Sequence, residues 1–323
     1  MRPLLALTAG DPAGIGPEIV AAALADADLR PRLRLVALGP AACRPAHVPE
    51  LAPEADLARV ESAAWISTSS TRDWELGRPQ AAAGRAALAA LRAGHELALA
   101  GRVDALVCAP VSKEALHLAG ERVEGQSELL GRWCAREVAM LGIAGELRVL
   151  LLTRHLPLRA ALAAITSAGV EAHLAILARG LAQLGFAAPR LALAGLNPHA
   201  GEHGLLGDDE ARLLEPAVRA ARAAGLDVQG PLSPDTVFLR AAQGEFDGVL
   251  ALYHDQAFIP LKLHAPGAGL TVLLGLPYLR ISPAHGTAFD RAGTGTADPG
   301  NLRVALEAAA RFAPGYSAAR ART

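Results

Sequence analysis

Short apolar runs alternate with longer, alanine-rich stretches along most of the chain. The runs at 4–8, 33–38, 105–109, 148–153, 190–194, 248–252 and 270–274 carry few polar positions and read as strands. The stretches 17–25, 80–99, 170–184, 208–224 and 302–312 read as helices. Strands without a polar face are buried on both sides, so the alternation predicts an α/β fold, a parallel or mixed sheet covered by helices. No repeat or low-complexity linker divides the 323 residues; the glycine-rich connections near 125 and 266 are where the chain would cross between two domains.

Composition narrows the function classes. Aromatic residues make up 4% against 52% hydrophobic, so the core is aliphatic and base-stacking platforms for nucleic acid are not expected. Lys+Arg (31) and Asp+Glu (32) nearly cancel, so a polyanion or a membrane surface is not the expected partner and any anion site must be local. Cys43, Cys108 and Cys134 form no pairing pattern and read as buried thiols of a reducing compartment. Asp11 interrupts the apolar N-terminus, and no run approaches the ~18 apolar residues of a membrane span, so a cytoplasmic protein is expected.

Three features carry candidate chemistry. Thr8-Ala-Gly-Asp-Pro-Ala-Gly-Ile-Gly-Pro-Glu-Ile follows a strand and opens a helix, with Pro17 in the first turn and Glu18 at its positive end. Gly10, Gly14 and Gly16 would let backbone approach a ligand, but the third glycine of the dinucleotide fingerprint is absent, and an ordinary turn explains the segment equally well. The stretch from His285 to Pro299 is dense in Gly, Thr and Asp, more than a surface connector needs. His155, His199 and His254 each follow an apolar strand, where ligands of open α/β sheets gather. Singly, each reads first as a hydrogen-bonded loop histidine; together they could leave open positions on a shared metal. His203 makes a rival i, i+4 pair with His199, but Gly201 and Gly204 argue against a helix there. Lys113 faces either the same region or solvent. Lys262 and Arg280 are cations in apolar surroundings that need a partner, either a salt bridge or a substrate phosphate or carboxylate.

Taken together, Gly-Asp-Pro-Ala-Gly-Ile-Gly-Pro-Glu-Ile, Ala-Pro-Val-Ser-Lys-Glu-Ala, Thr-Arg-His-Leu-Pro-Leu, Gly-Leu-Asn-Pro-His-Ala-Gly-Glu, Leu-Tyr-His-Asp-Gln and Gly-Leu-Pro-Tyr-Leu-Arg-Ile-Ser-Pro-Ala-His-Gly-Thr-Ala resemble the 4-hydroxythreonine-4-phosphate dehydrogenase family over nearly the whole chain. The resemblance implies a two-domain fold like that of the isocitrate and isopropylmalate dehydrogenases, with an active-site cleft between domains and NAD or NADP bound without a Rossmann fingerprint. It implies a discontinuous nucleotide-binding domain (1–125 plus 266–323) and a metal, substrate and dimerisation domain (126–265). His155, His199 and His254 match metal ligands drawn from both subunits of a homodimer, with zinc, cobalt or magnesium as the ion. Lys262 and Arg280 match substrate positions near the phosphate. Gly14, His285, Gly286, Thr287 and Asp290 match the nucleotide site. Gln126-Ser127 stands where the family commonly has His-Thr, and Thr271 where it commonly has Asn; these substrate-binding positions lack the charge of a protonated histidine, so lower phosphate affinity or a different substrate follows.

The activity implied is oxidation of 4-phosphooxy-L-threonine with decarboxylation to 3-amino-2-oxopropyl phosphate, with the metal polarising the hydroxyl and NAD taking the hydride. Asp255, Lys113 or a metal-bound water would serve as base. The alternatives are a dehydrogenase of threonate or erythronate 4-phosphate or of a dihydrodiol carboxylate, and a non-catalytic metal-binding homologue.

Overall fold

The apolar runs become strands and the alanine-rich stretches helices in the computed structural model, which describes residues 2–320. In chain order the first elements are β1 (Leu4–Thr8), α1 (Gly16–Ala25), β2 (Arg34–Pro40), β3 (Ala63–Ser69), α2 (Ala81–Leu99), β4 (Ala105–Cys108), α3 (Lys113–Leu118) and α4 (Gln126–Cys134). There follow β5 (Ala139–Ala144), β6 (Leu147–Leu151), α5 (Leu158–Ala163), α6 (Ser167–Gln183), β7 (Leu191–Ala194), α7 (Glu215–Ala223) and β8 (Val228–Leu232). The last are α8 (Val237–Ala242), β9 (Gly248–Ala251), α9 (His254–His264), β10 (Leu270–Leu274), β11 (Leu279–Pro283) and α10 (Gly300–Arg320).

Two units share these elements: one runs to Val138 and resumes at Leu276, the other is Ala139–Gly275. Both crossings fall later than the glycine-rich points near 125 and 266. Gly125 is the residue before α4, and α4 stays with the first unit. Beyond 266 the chain enters β10, whose antiparallel pairing with β5 keeps it in the second unit.

In the first unit the strands order β3-β2-β1-β4-β11 and all pair in parallel. Every residue of β1 is buried, as a strand covered on both faces requires. Small residues let α2 lie close: a methyl group on Gly94 would meet the Leu106 side chain at 2.7 Å. In the second unit the order is β10-β5-β6-β9-β7-β8, antiparallel through β10-β5-β6 and parallel from β6 to β8. Its core places Val149, Leu151, Ala192, Ala194, Val249 and Ala251 against Phe238, Phe246, Ala257 and Leu261. The α/β architecture with a mixed sheet is therefore present.

Four strands lack the signal that the sequence pattern relies on. β3 is AAWISTS at a sheet edge, with its last three residues only half-buried. β8 carries Gly-Pro, tolerated at an edge. β5 contains Gly142, where a methyl group would sit 2.4 Å from Leu261 of α9. β11 holds the buried Arg280. The helix expected over 208–224 is a π-helical turn, Glu210–Leu214, followed by α7. All three cysteines are free, but only Cys108 is buried; Cys43 and Cys134 are half-buried, and desolvation raises the Cys43 thiol to about 11. No helix among the described residues is long and apolar enough to cross a membrane.

Candidate active site

Because the strands of the first unit are parallel, loops leave the carboxyl ends of β1, β4 and β11 on one side, where ligands of such sheets bind. The loop after β1 and the segment after β11 lie against each other. Ile15 N–H donates to Thr287 O at 3.0 Å, and a methyl group on Gly14 would approach that oxygen to 2.7 Å and Thr287 Cβ to 2.9 Å. The Glu18 carboxylate accepts the Gly293 N–H. His285 pairs through Nδ1 with Gly286 O at 3.0 Å, while its Nε2 is buried without a partner. Asp290 is exposed in the short turn Phe289–Arg291. Four of the expected nucleotide residues thus follow β11, and Gly14 packs directly on one of them.

Asp11 fastens this cluster to the loop after β4. It is fully buried, its N–H donates to Pro110 O at 2.8 Å, and its Oδ1 accepts the Ala13 N–H at 2.9 Å. Burial raises its carboxyl above the usual range, outweighing the backbone N–H groups of Ala13 and Ser112 that favour the ionised form. Lys113 opens α3 and is exposed, and its Cε lies 3.9 Å from where a Gly125 methyl group would stand. Gln126 opens α4, donating from Nε2 to Ala109 O at 3.1 Å and leaving a buried Oε1 with no partner. Ser127 beside it is buried. The first bond into α4 runs from Leu129 N–H to Gly125 O, so the N–H groups of 126, 127 and 128 have no acceptor within the helix.

Arg280 is 3% exposed, opposite Leu106, and its Nε donates to the Cys108 thiol at 3.4 Å. None of the described ion pairs includes it. A guanidinium desolvated beside a thiol rather than a carboxylate has room for an anion.

In the second unit the three histidines follow β6, β9 and β7, which are hydrogen-bonded parallel neighbours in that order. His155 and His254 meet, their ring centroids 5.8 Å apart. His254 is the first residue of α9; its ring stacks on Phe258 at 4.7 Å and its Nδ1 pairs with Asp255 Oδ1 at 2.7 Å. That pairing orients the imidazole and leaves Nε2 for a ligand, the role of the carboxylate partners of metal-bound histidines. His199 is exposed on the next loop. It forms no right-handed helix with His203: residues 199 to 203 all have positive φ. Each non-glycine residue so held costs about 1–2 kcal/mol.

Two other residues bind the loops together. Gln256 is buried, accepting the Leu252 N–H at 2.7 Å and donating to Gly195 O at 2.8 Å, so it joins the ends of β9 and β7. Thr153 Oγ1 donates to Leu252 O at 2.8 Å, joining β6 to β9. Among the described residues of one chain, no three His, Cys, Asp or Glu side chains converge on a metal position.

Lys262 departs from expectation. Its apolar neighbours in sequence do not bury it, because Gln256, Ala257 and Leu261 are the buried residues of α9, and Lys262 is exposed beside Leu263 and His264. Thr271 is buried in β10 opposite Gly142. His95, His117 and His173 pair with Tyr278 Oη, Val123 O and Gly169 O, and His95 is buried.

Residues 24–309 match the family described as pyridoxal phosphate biosynthetic protein PdxA. The chain belongs to the PdxA family. It is 41% identical to D-threonate 4-phosphate dehydrogenase of Salmonella typhimurium, covering 96% of this chain and 98% of that one. It is 40% identical to 4-hydroxythreonine-4-phosphate dehydrogenase of Geobacter metallireducens, over 97% and 96%. The crystal structure of 4-hydroxythreonine-4-phosphate dehydrogenase from Klebsiella pneumoniae superposes with a TM-score of 0.88 at 39% identity, covering 97% and 98%. As a PdxA-family member the chain is an oxidoreductase.

The residues fit the groups that PdxA membership implies. Imidazole donors with an outer carboxylate suit a divalent ion, zinc or cobalt before magnesium. The glycine-lined contact of Gly14 with Thr287 and the orphaned His285 Nε2 suit a dinucleotide. Trp74 and Leu76, which no sequence motif marks, line a 590 Å³ groove with Pro12, Gly14, Pro17 and Gly293. An aromatic residue inside the Gly/Pro-rich stretch Asp-Trp-Glu-Leu-Gly-Arg-Pro is the signal that could have found it. Gly14→Ala would force this loop from Thr287, an overpacking of about 1–3 kcal/mol. It is therefore expected to weaken NAD binding roughly tenfold or more in a fluorescence titration with NADH. Unchanged affinity would reject the nucleotide assignment.

Proposed function

We propose that this chain is a metal-dependent, NAD(P)-linked dehydrogenase that oxidises 4-phosphooxy-L-threonine, with loss of carbon dioxide, to 3-amino-2-oxopropyl phosphate. The observation that carries the reading is the imidazole pair His155 and His254, with His254 oriented by Asp255, on loops of neighbouring strands that also include the His199 loop. Bound by these histidines, a divalent ion would supply Lewis acidity toward the substrate hydroxyl, and the nicotinamide would accept the hydride. Arg280 anchors a substrate anion, and the N–H groups of Gln126 and Ser127, which have no acceptor within α4, offer donors for phosphate. The orphaned Gln126 Oε1 accepts from the substrate ammonium. Asp255 serves as the orienting partner of His254, which leaves Lys113 or a bound water as the base.

The three ligands are completed across a homodimer. Exposed Leu239, Ile259 and Leu263 of α8 and α9 line one apolar groove, which supports burial by a second copy. The free thiols accord with a cytoplasmic enzyme.

A second reading, oxidation of D-threonate 4-phosphate, is supported by Gln126 and Ser127 standing where the family commonly has His-Thr; that substrate carries a hydroxyl in place of the ammonium. The full-length protein with zinc, NAD and each substrate is followed by NADH absorbance. A charged hydrogen bond to Gln126 is worth about 1.5–3 kcal/mol, so kcat/KM for 4-phosphooxy-L-threonine should be higher by roughly tenfold or more. Faster turnover of D-threonate 4-phosphate would establish the second reading. Absence of both turnover and NAD binding would reject the dehydrogenase.

A further inference from the structure

The turn that presents His199 is held in an unfavourable conformation by a carboxylate that sequence reasoning did not single out. Residues His199, Ala200, Gly201, Glu202 and His203 have φ of 53°, 54°, 78°, 42° and 57°, and only one of them is glycine. Such a run of left-handed residues persists only when its surroundings over-determine it. Those surroundings centre on Glu210, which is 3% exposed at the start of the π-helical turn Glu210–Leu214. Its Oε1 accepts the N–H groups of Leu196 at 2.8 Å and Asn197 at 2.7 Å, and its Oε2 accepts Asn197 Nδ2 at 2.8 Å. These are the residues between β7 and Pro198-His199. The same Oε2 would lie 2.8 Å from a methyl group on Gly201, so the carboxylate also braces the middle of the turn.

A buried carboxylate answered only by neutral N–H groups, with none of the described ion pairs involving it, is a costly way to close a loop. The π-helical turn is the local irregularity that sets Glu210 under the loop, and such turns recur at functional sites. We propose that Glu210 is a positioning residue for His199, holding the left-handed turn so that this imidazole is presented for metal binding. The inference rests on the reading of His199 as a metal ligand.

The test is calorimetric titration of Zn²⁺ into metal-free, full-length protein, with the visible absorption of the Co²⁺-loaded form as a second readout. Glu210→Gln keeps the size of the side chain but sets an N–H against the Asn197 amide. It is expected to weaken Zn²⁺ binding about 10–100-fold, the usual cost of losing an outer-shell partner, and to shift the Co²⁺ spectrum. In the same variant kcat falls while KM for NAD is unchanged. Gly201→Ala, which forces the turn away from an intact Glu210, is expected to move affinity and spectrum the same way. His199→Ala separates the two levels of the claim. If it leaves Zn²⁺ affinity at the wild-type value, His199 is not a ligand and the underlying reading fails. If it abolishes binding while Glu210→Gln or Gly201→Ala binds as wild type with an unaltered spectrum, His199 stands and the role of Glu210 is overturned. Should Glu210→Gln not fold, Gly201→Ala decides alone.

Discussion

His254→Ala is expected to reduce turnover by roughly 10³-fold, the several kcal/mol that loss of a Lewis acid removes from transition-state stabilisation. Little stability should go with it. The side chain is 39% exposed, and its bond is to an Asp255 carboxylate that is 73% exposed, so solvent screens the pair. Chelation of the wild-type enzyme should reproduce the loss, and zinc or cobalt should restore it; neither ion should rescue the variant. Steady-state rates with and without chelator, alongside a thermal melt, check the outcome. An His254→Ala enzyme that turns over normally after chelation would remove the metal from the mechanism.

Arg280→Met is expected to separate activity from stability. The guanidinium is buried beside Cys108 with no carboxylate partner among the described ion pairs, so an apolar side chain of similar length relieves a desolvated charge. The folded protein should melt at the same temperature or higher. Activity should move the other way, because loss of a buried charged contact to an anion costs about 2–5 kcal/mol, or roughly 30-fold to several thousand-fold in kcat/KM. A rise in KM for the phosphorylated substrate with unchanged KM for NAD would place the effect at the substrate. Equal loss of stability and activity would instead make Arg280 a structural cation.

The contrast between Arg280 and Lys262 shows where sequence patterns carry and where they fail. Both cations sit among apolar residues in sequence, and the same argument asked both for an anion. In β11 the neighbours alternate faces within a covered sheet, so all five residues of Leu279–Pro283 are buried. In α9 the turn of the helix carries Ile259, Lys262 and Leu263 to the exposed face. Apolar neighbours predict burial only once the element is known, and α9 conceals its own period with Pro260 inside and apolar residues on both faces.

For the histidines, the sequence by itself determined the essential placement: each follows a run of apolar residues, and strands of that kind end where an α/β sheet opens to ligands. The resemblance also singled out Gly14 and the 285–290 stretch, two segments far apart in sequence that pack together through Gly14 and Thr287. Only the tertiary structure decided that β6, β9 and β7 are neighbours, that His155 and His254 therefore meet while His199 stands on the next loop, and that Asp255, Gln256 and Glu210 secure their loops. The physical reason is that strand order and loop conformation are set by contacts distant along the chain. Gln256 reaches Gly195 across 61 positions, and Glu210 reaches Asn197 across a left-handed turn that local propensity opposes.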